Sequence, residues 1–94
     1  LTERKRMKPK TVWKFPIEIT DVQILQMPHG AEIIHAGLDP QGGPCVWARV
    51  NPNNSPAETS LHISGTGHPV PDGDNRHVGS LNQGPCVWHL WTPC

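Results

Sequence analysis

The pentapeptide GPCVW stands at residues 43–47 and again at residues 84–88. In each copy the Gly-Pro pair is typical of a turn, and the apolar run behind it is typical of a strand. Side chains alternate between the two faces of a strand, so Cys and Trp share one face and the intervening Val takes the other. The repeat therefore predicts two similar strands, each of which begins after a Gly-Pro turn.

The Cys and Trp side chains of these strands are candidates for the protein core, because free Cys behaves as a small buried hydrophobe and Trp as a large one. The expected core residues are Trp13, Cys45, Trp47, Cys86 and Trp88. Structural zinc sites usually present pairs of Cys about two to four residues apart, and the chain has no such pair. We therefore expect no metal, no cofactor, and reduced thiols instead of a Cys45–Cys86 disulfide.

The rest of the chain repeats the same design, with short apolar or alternating runs separated by turn residues. Eleven Pro and nine Gly leave no window that is typical of an amphipathic helix. The runs lie at residues 11–19, 21–27, 31–38, 45–50, 59–65, 76–81 and 86–91. They predict an all-β fold, either a small antiparallel sandwich or a partly open barrel of about seven short strands.

Charge divides the chain into two parts although its formal net charge is zero. Up to Lys14, six basic residues face one acid and give +5; beyond it, two basic residues face seven acids and give −5. We expect residues 1–10 to be a basic flexible extension and residues 11–94 to be a single β-domain. Because phosphate repels an acidic body, nucleic acid would bind only weakly, through the basic tail.

Hydropathy and length suggest a compartment and an oligomeric state. The chain has no apolar run of membrane-spanning length and no apolar segment behind its basic N-terminal residues, so we expect a soluble protein of the cytoplasm. A chain of 94 residues builds only a modest core, and a homo-oligomer would supplement its stability.

The segment GTGHPVPDG, residues 65–73, is the stretch outside the predicted core that is best suited to binding. Its two prolines fix φ and restrict the residues before them, so the loop should be stiff and inexpensive to order. The candidate binding residues are Thr66, His68, Asp72, Asp74 and His77. The alternative is a loop that only connects two strands.

Catalysis has weaker support from these residues. Together with His62, the same histidines and aspartates could form the metal or acid/base set of a metal-dependent hydrolase. Nothing in their spacing determines which of them converge, and no Ser or Cys stands in a recognisable nucleophile turn. We therefore expect a protein that is not an enzyme.

Several ordered motifs carry a resemblance to a known family. They are WKFP at residues 13–16, TDVQ at 20–23, MPHGA at 27–31, PCVWA at 44–48 and GTGHPVPD at 65–72. Over residues 11–91 the chain resembles a family of short bacteriophage and bacterial proteins. This family is classified as a domain of unknown function. The resemblance implies a phage or prophage origin and a small β-rich domain, and it implies no activity.

These observations favour a phage-encoded binding protein in the cytoplasm of the host. Its partner would be a host factor or a small signalling ligand, and an anti-defence role would suit such a protein. The alternative is a structural or accessory part of the virion, in which the basic extension docks the acidic domain onto a larger assembly.

Overall fold

The computed structural model describes residues 10–93, which form seven β-strands and no helix. The strands are β1 (Thr11–Pro16), β2 (Val22–Pro28), β3 (Glu32–Leu38), β4 (Pro44–Val50), β5 (Pro56–Gly65), β6 (Asn75–Gln83) and β7 (Cys86–Pro93). Each strand overlaps one of the seven predicted runs, and the all-β class is confirmed. Of the predicted basic extension only the exposed Lys10 is described; residues 1–9 and Cys94 lie outside the described residues.

All strand pairs are antiparallel, and they form two sheets. The three-stranded sheet has the order β1-β4-β3, and the four-stranded sheet has the order β2-β5-β7-β6. Across residues 10–93 no strand pairing joins the two sheets, so they do not close into a barrel. The domain is therefore sandwich-like, which is one of the two predicted alternatives. The same residues include no helix long and apolar enough to cross a membrane.

The hydrophobic core lies between the sheets, where alternate side chains from both inner faces meet. In β4, Val46, Ala48 and Val50 are fully buried, and in the opposite sheet Leu61 and Leu90 are fully buried. The rest of the cluster consists of Ile17, Met27, Ile33, Ala36, Ile63, Val78 and Leu81. Burial of each large aliphatic side chain contributes about 1.5–3 kcal/mol, which is what holds two small sheets together.

On one side of the sandwich the sheets meet where β6 passes β3. A Cβ built on Gly79 would lie 3.0 Å from the Cβ of Ala36 and 3.2 Å from its backbone nitrogen. The φ of Gly79 is +153°, and the register between β6 and β7 shifts at this residue, which marks a β-bulge. A residue without a side chain is therefore required at this close approach.

The two GPCVW copies both begin strands, as predicted, but they face the core in opposite ways. In β4 the Val of the repeat, Val46, is buried, and Trp47 lies on the outer face. In β7 Val87 is 37% exposed, and Trp88 shares the inner face with the buried Leu90. Because the pentapeptides are identical, their surroundings in the fold, and not the five residues themselves, determine which face is buried.

Two of the expected core residues are at the surface. Trp13 is 40% exposed because β1 is an edge strand, and its ring centroid lies 6.4 Å from that of Phe15. Cys86 is exposed because it stands at the first position of β7, beside the turn at Gly84. The assignment of both residues to the core was wrong.

The other three expected core residues occupy different environments. Cys45 is buried, with 1% of its surface exposed. Trp47 is half-buried on the outer face of the three-stranded sheet, where its ring centroid lies 5.3 Å from that of His35. Trp88 is also half-buried and packs against the edge of the core cluster. Neither Trp is a fully buried core residue, because Trp47 faces away from the opposite sheet and Trp88 lies at the edge of the core cluster.

Candidate functional site

A cleft of about 520 Å³ opens at one end of the four-stranded sheet. One wall is the connection between β1 and β2, residues 19–21, and the other is the loop after β5, residues 68–71. Residues 62–65 of β5 and the ring of Trp88 complete the lining. The volume lies within the range of about 300–1,000 Å³ that is typical of small-molecule sites.

The cleft exists because β5 is longer than its neighbour. β2 begins at Val22, which pairs with His62, and the last backbone bond across this edge runs from the N–H of Ile63 to the carbonyl of Asp21, 3.1 Å. β5 continues to Gly65 and there pairs only with β7. The loop after β5 then turns back along this unpaired stretch. The cleft is the space between this loop and the β1–β2 connection, above residues 62–65.

Hydrogen bonds fasten the β5–β6 loop at both ends. The Ser64 hydroxyl donates to the carbonyl of Pro69 at 3.0 Å, and the His68 N–H donates to the carbonyl of Gly65 at 3.0 Å. At the far end the Asn75 side-chain amide donates to the carbonyls of residues 71, 72 and 73 at 3.0–3.3 Å. With two prolines between these anchors, a ligand would find this wall already ordered.

The opposite wall is held by the side chain of Gln23. Its amide nitrogen donates to the carbonyl of Glu18 at 2.6 Å, and its amide oxygen accepts the Glu18 N–H at 3.2 Å. The Thr20 hydroxyl donates to the carbonyl of Val22 at 3.2 Å. These local bonds, together with the Ile63 N–H that donates to the carbonyl of Asp21, hold the short β1–β2 connection in shape.

Gly65 determines how closely two rings approach at the base of the cleft. A Cβ built on Gly65 would lie 3.2 Å from the ring of Trp88 and 3.3 Å from Nδ1 of His68. Both rings therefore lie over the glycine, and any side chain at this position would displace them. Gly65 is therefore needed for close packing beneath two rings and not for a turn.

The structure separates the five predicted binding residues instead of bringing them together. His68 lines the cleft. Thr66 and His77 belong to a hydrogen-bonded group on the outer face of the four-stranded sheet. Asp72 and Asp74 are exposed at the tip of the loop and do not line the cleft.

The group on the outer face is a chain of hydroxyls and imidazoles. Thr66 Oγ1 lies 2.8 Å from His89 Nε2, and Ser80 Oγ lies 2.9 Å from His89 Nδ1 and 3.2 Å from His77 Nε2. The His77 ring meets the ring of Trp91 edge-on, with centroids 5.0 Å apart. Both nitrogens of His89 have hydroxyl partners, so the chain ties the start of the loop to β7 and β6.

Sequence reasoning missed most residues of both regions. Alternation places His89 and Trp91 on one face of β7, which is a usable signal, but only the β6–β7 register shows that Ser80 and His77 stand beside them. No local signal links residues 19–21 to residues 68–71, because the two walls are far apart along the chain and meet through β5.

The possible metal ligands of the described chain do not form a cluster. Among residues 10–93 no three His, Cys, Asp or Glu side chains are grouped closely enough to hold a metal ion. In the cleft, the Ser64 hydroxyl donates to a backbone carbonyl.

Two groups have shifted pKa values, and both lie at the β3–β4 turn, away from the cleft. Asp39 Oδ1 accepts the N–H groups of Gly43 and Gln41 at 2.8 and 2.9 Å. The Gly43 N–H, helped by the Lys14 ammonium at 3.2 Å, lowers the pKa of the Asp39 carboxyl. Burial raises the pKa of the Cys45 thiol, and the carboxylate of Asp39, 3.6 Å from its sulfur, raises it further. Cys45 is therefore an unreactive structural thiol.

Comparison with known proteins gives one match. A family model described as a domain of unknown function (DUF7352) matches residues 8–93, nearly the whole chain. No curated protein and no solved structure matches the chain.

Proposed function

The chain belongs to this family of domains of unknown function, and from that premise we propose that it is a non-catalytic binding protein whose small-molecule ligand enters the cleft beside β5. The observation that carries the proposal is the cleft itself, which has a volume of about 520 Å³ and is bordered by two loops that are hydrogen-bonded into shape. Preformed walls lower the entropy cost of binding, which is the usual condition for useful affinity in a small site.

The lining defines the chemical class of the ligand. Ile19, Ile63 and the Trp88 ring offer apolar surface, and the prolines of the loop add more. The imidazole of His62 offers a donor and an acceptor, and the carboxylate of Asp21 accepts from a ligand N–H or O–H. A compact molecule with a planar or apolar part and polar groups at its edge fits this combination, whereas a purely ionic ligand would leave the apolar wall unused.

Recognition fits the lining better than catalysis does. The Ser64 hydroxyl donates to the carbonyl of Pro69, and no Cys is among the residues of the lining. The imidazole–hydroxyl chain around His89 lies outside the lining of the cleft and supports the start of the loop. A binding site needs only shape and a few polar groups, and the cleft has both.

The biological setting follows from the resemblance of the motifs to phage proteins and is part of the proposal. A small protein that sequesters a compact ligand in the host cytoplasm would remove a host signal, which is a form of anti-defence activity. A host protein that presents a flat side chain to the cleft would be recognised by the same surface.

Native mass spectrometry of the protein recovered from host cells tests the proposal. The wild type should carry a small molecule that His68→Ala loses, because His68 lines the cleft. Asp72→Ala is the matched control from the same loop, since Asp72 lies outside the lining, and it should retain the molecule. Retention by all three proteins, or no bound molecule on the wild type, would contradict the proposal.

A further inference from the structure

β2 forms one edge of the four-stranded sheet, and within residues 10–93 its other side has no strand partner. Asp21 and His29, just beyond the two ends of the strand, both bond to the β5 side through their backbones. Residues two apart on a strand direct their backbone groups to the same side. The even-numbered residues Val22, Ile24 and Gln26 therefore direct their N–H and C=O groups to the open edge.

The side chains of this edge offer little protection against pairing. Val22 and Ile24 are 52% and 53% exposed on the outer face of the sheet. The strand reads VQILQMP, with no charged residue and with its proline at the last position. Edge strands of native proteins usually carry charges, prolines or bulges that prevent association, and an uncharged apolar edge is a site for pairing with another strand.

The remaining edges of the two sheets are protected. β1 carries Lys14 near its middle and Pro16 at its end. β3 and β6 approach each other where Ala36 meets Gly79, so neither edge is open at that point. Of the four sheet edges in the described chain, β2 alone combines exposed apolar side chains with a lack of charge.

We propose that β2 pairs antiparallel with β2 of a second copy of this chain, about a two-fold axis that passes beside Ile24. In this register Ile24 faces Ile24 of the second copy, and Val22 faces Gln26. Each of these pairs exchanges two backbone hydrogen bonds. The Val22 carbonyl, which already accepts the Thr20 hydroxyl, accepts its second hydrogen bond in this way. The two four-stranded sheets then become one continuous eight-stranded sheet.

A second copy fits this edge better than a charged foreign strand. The partner strand is neutral, so no unpaired charge is placed against the exposed Val22 and Ile24. Pairing of two identical β2 strands also buries Ile24, the most exposed apolar side chain of the strand, against Ile24 of the second copy. The contact is isologous, as a two-fold axis requires.

The proposed contact has a consequence for the cleft, although it does not depend on ligand binding. In this register Asp21, which lines the cleft, faces Met27 of the second copy, at the opposite end of its β2. The dimer therefore has a cleft at each end of the contact, and each is bordered by the partner's strand.

Sedimentation equilibrium of the full chain over a range of concentrations tests the contact. The wild type should be a dimer, and Ile24→Lys should weaken dimerisation by about 100-fold or more, because two lysines would face each other across the axis. Val12→Lys is the matched control, since Val12 is 51% exposed on the edge strand β1, and it should leave the dimer unchanged. A monomeric wild type, or equal dimerisation of both variants, would overturn the proposal.

Cysteine cross-linking tests the register. In a chain that carries Cys86→Ser and Cys94→Ser, Ile24→Cys should form an intermolecular disulfide on mild oxidation, because paired Cα atoms lie about 5.5 Å apart. Gln26→Cys should not cross-link to itself, since its two copies are displaced by four residues along the strands. Cross-linking of Gln26→Cys in place of Ile24→Cys would contradict the pairing, as would cross-linking of neither.

Discussion

Gly79→Ala is the substitution that most sharply tests how the two sheets meet. The new methyl group would stand 3.0 Å from the Cβ of Ala36 and 3.2 Å from its backbone nitrogen, closer than ordinary van der Waals contact. Overpacking of this kind costs about 1–3 kcal/mol. The φ of +153° adds about 1–3 kcal/mol for a residue with a side chain. The expected loss in the free energy of unfolding is therefore about 2–6 kcal/mol.

Gly42→Ala separates the two contributions. Gly42 also has a positive φ, +85°, but a Cβ built on it meets nothing within 4 Å. This variant should lose only the conformational part, about 1–2 kcal/mol. The remaining difference between the two variants contains the contact with Ala36 together with any greater backbone strain at the φ of +153°.

Addition of Ala36→Gly to Gly79→Ala should recover part of the loss. It removes the methyl group at 3.0 Å and leaves the backbone nitrogen at 3.2 Å. We expect a favourable coupling energy of about 0.5–2 kcal/mol in a double-mutant cycle. Urea unfolding followed by tryptophan fluorescence, at one protein concentration, measures the four proteins of the cycle and Gly42→Ala. Equal losses for Gly79→Ala and Gly42→Ala, or no coupling, would refute the close approach of β3 and β6.

Three further predictions concern stability and thiol reactivity. Because the pKa of Asp39 is lowered on folding, its ionised form stabilises the protein above the usual pKa of about 3.9. The wild type should therefore be more stable than Asp39→Asn at neutral pH, and this difference in the free energy of unfolding should shrink as pH falls below that value. Urea unfolding across pH 2–7 measures the difference, and a constant value would count against the hydrogen bonds of the turn. Iodoacetamide should modify the exposed Cys86 rapidly and the buried Cys45 only on unfolding, as peptide mass spectrometry would reveal; similar rates would disprove the burial. Leu61→Ala should cost about 2–5 kcal/mol and Leu38→Ala clearly less, because Leu61 is fully buried and Leu38 is 41% exposed; equal losses in thermal or urea unfolding would place the core elsewhere.

Sequence patterns predicted the strands because strand and turn signals are local. The alternating runs and their Gly and Pro punctuation identify each element, and the segment VQILQM needs no information from distant residues to be recognised as a strand. It was harder to predict which face of each strand is buried. Identical GPCVW segments turn Val46 inward and Val87 outward, since burial depends on which face meets the opposite sheet.

The candidate site was predicted only in part, because it is assembled by register and topology. The stiff loop was identified from its prolines, and His68 does line the cleft. Its other wall, residues 19–21, comes close only because β2 pairs with β5 and ends short of Gly65. Thr66 and His77 were grouped with His68 by proximity in sequence, yet they belong to the hydroxyl–imidazole chain around His89 and do not line the cleft.

The most direct test of the binding proposal is a fragment titration followed by amide chemical shifts in ¹H–¹⁵N NMR. Indole, benzimidazole and adenine are suitable probes, since each is planar and has polar groups at its edge. We expect at least one of them to shift the amides of residues 19–21, 62–65 and 68 together, and we expect His68→Ala to weaken this response while Asp72→Ala does not. Shifts confined to other surfaces, or no shifts with any probe at millimolar concentration, would contradict ligand binding in the cleft.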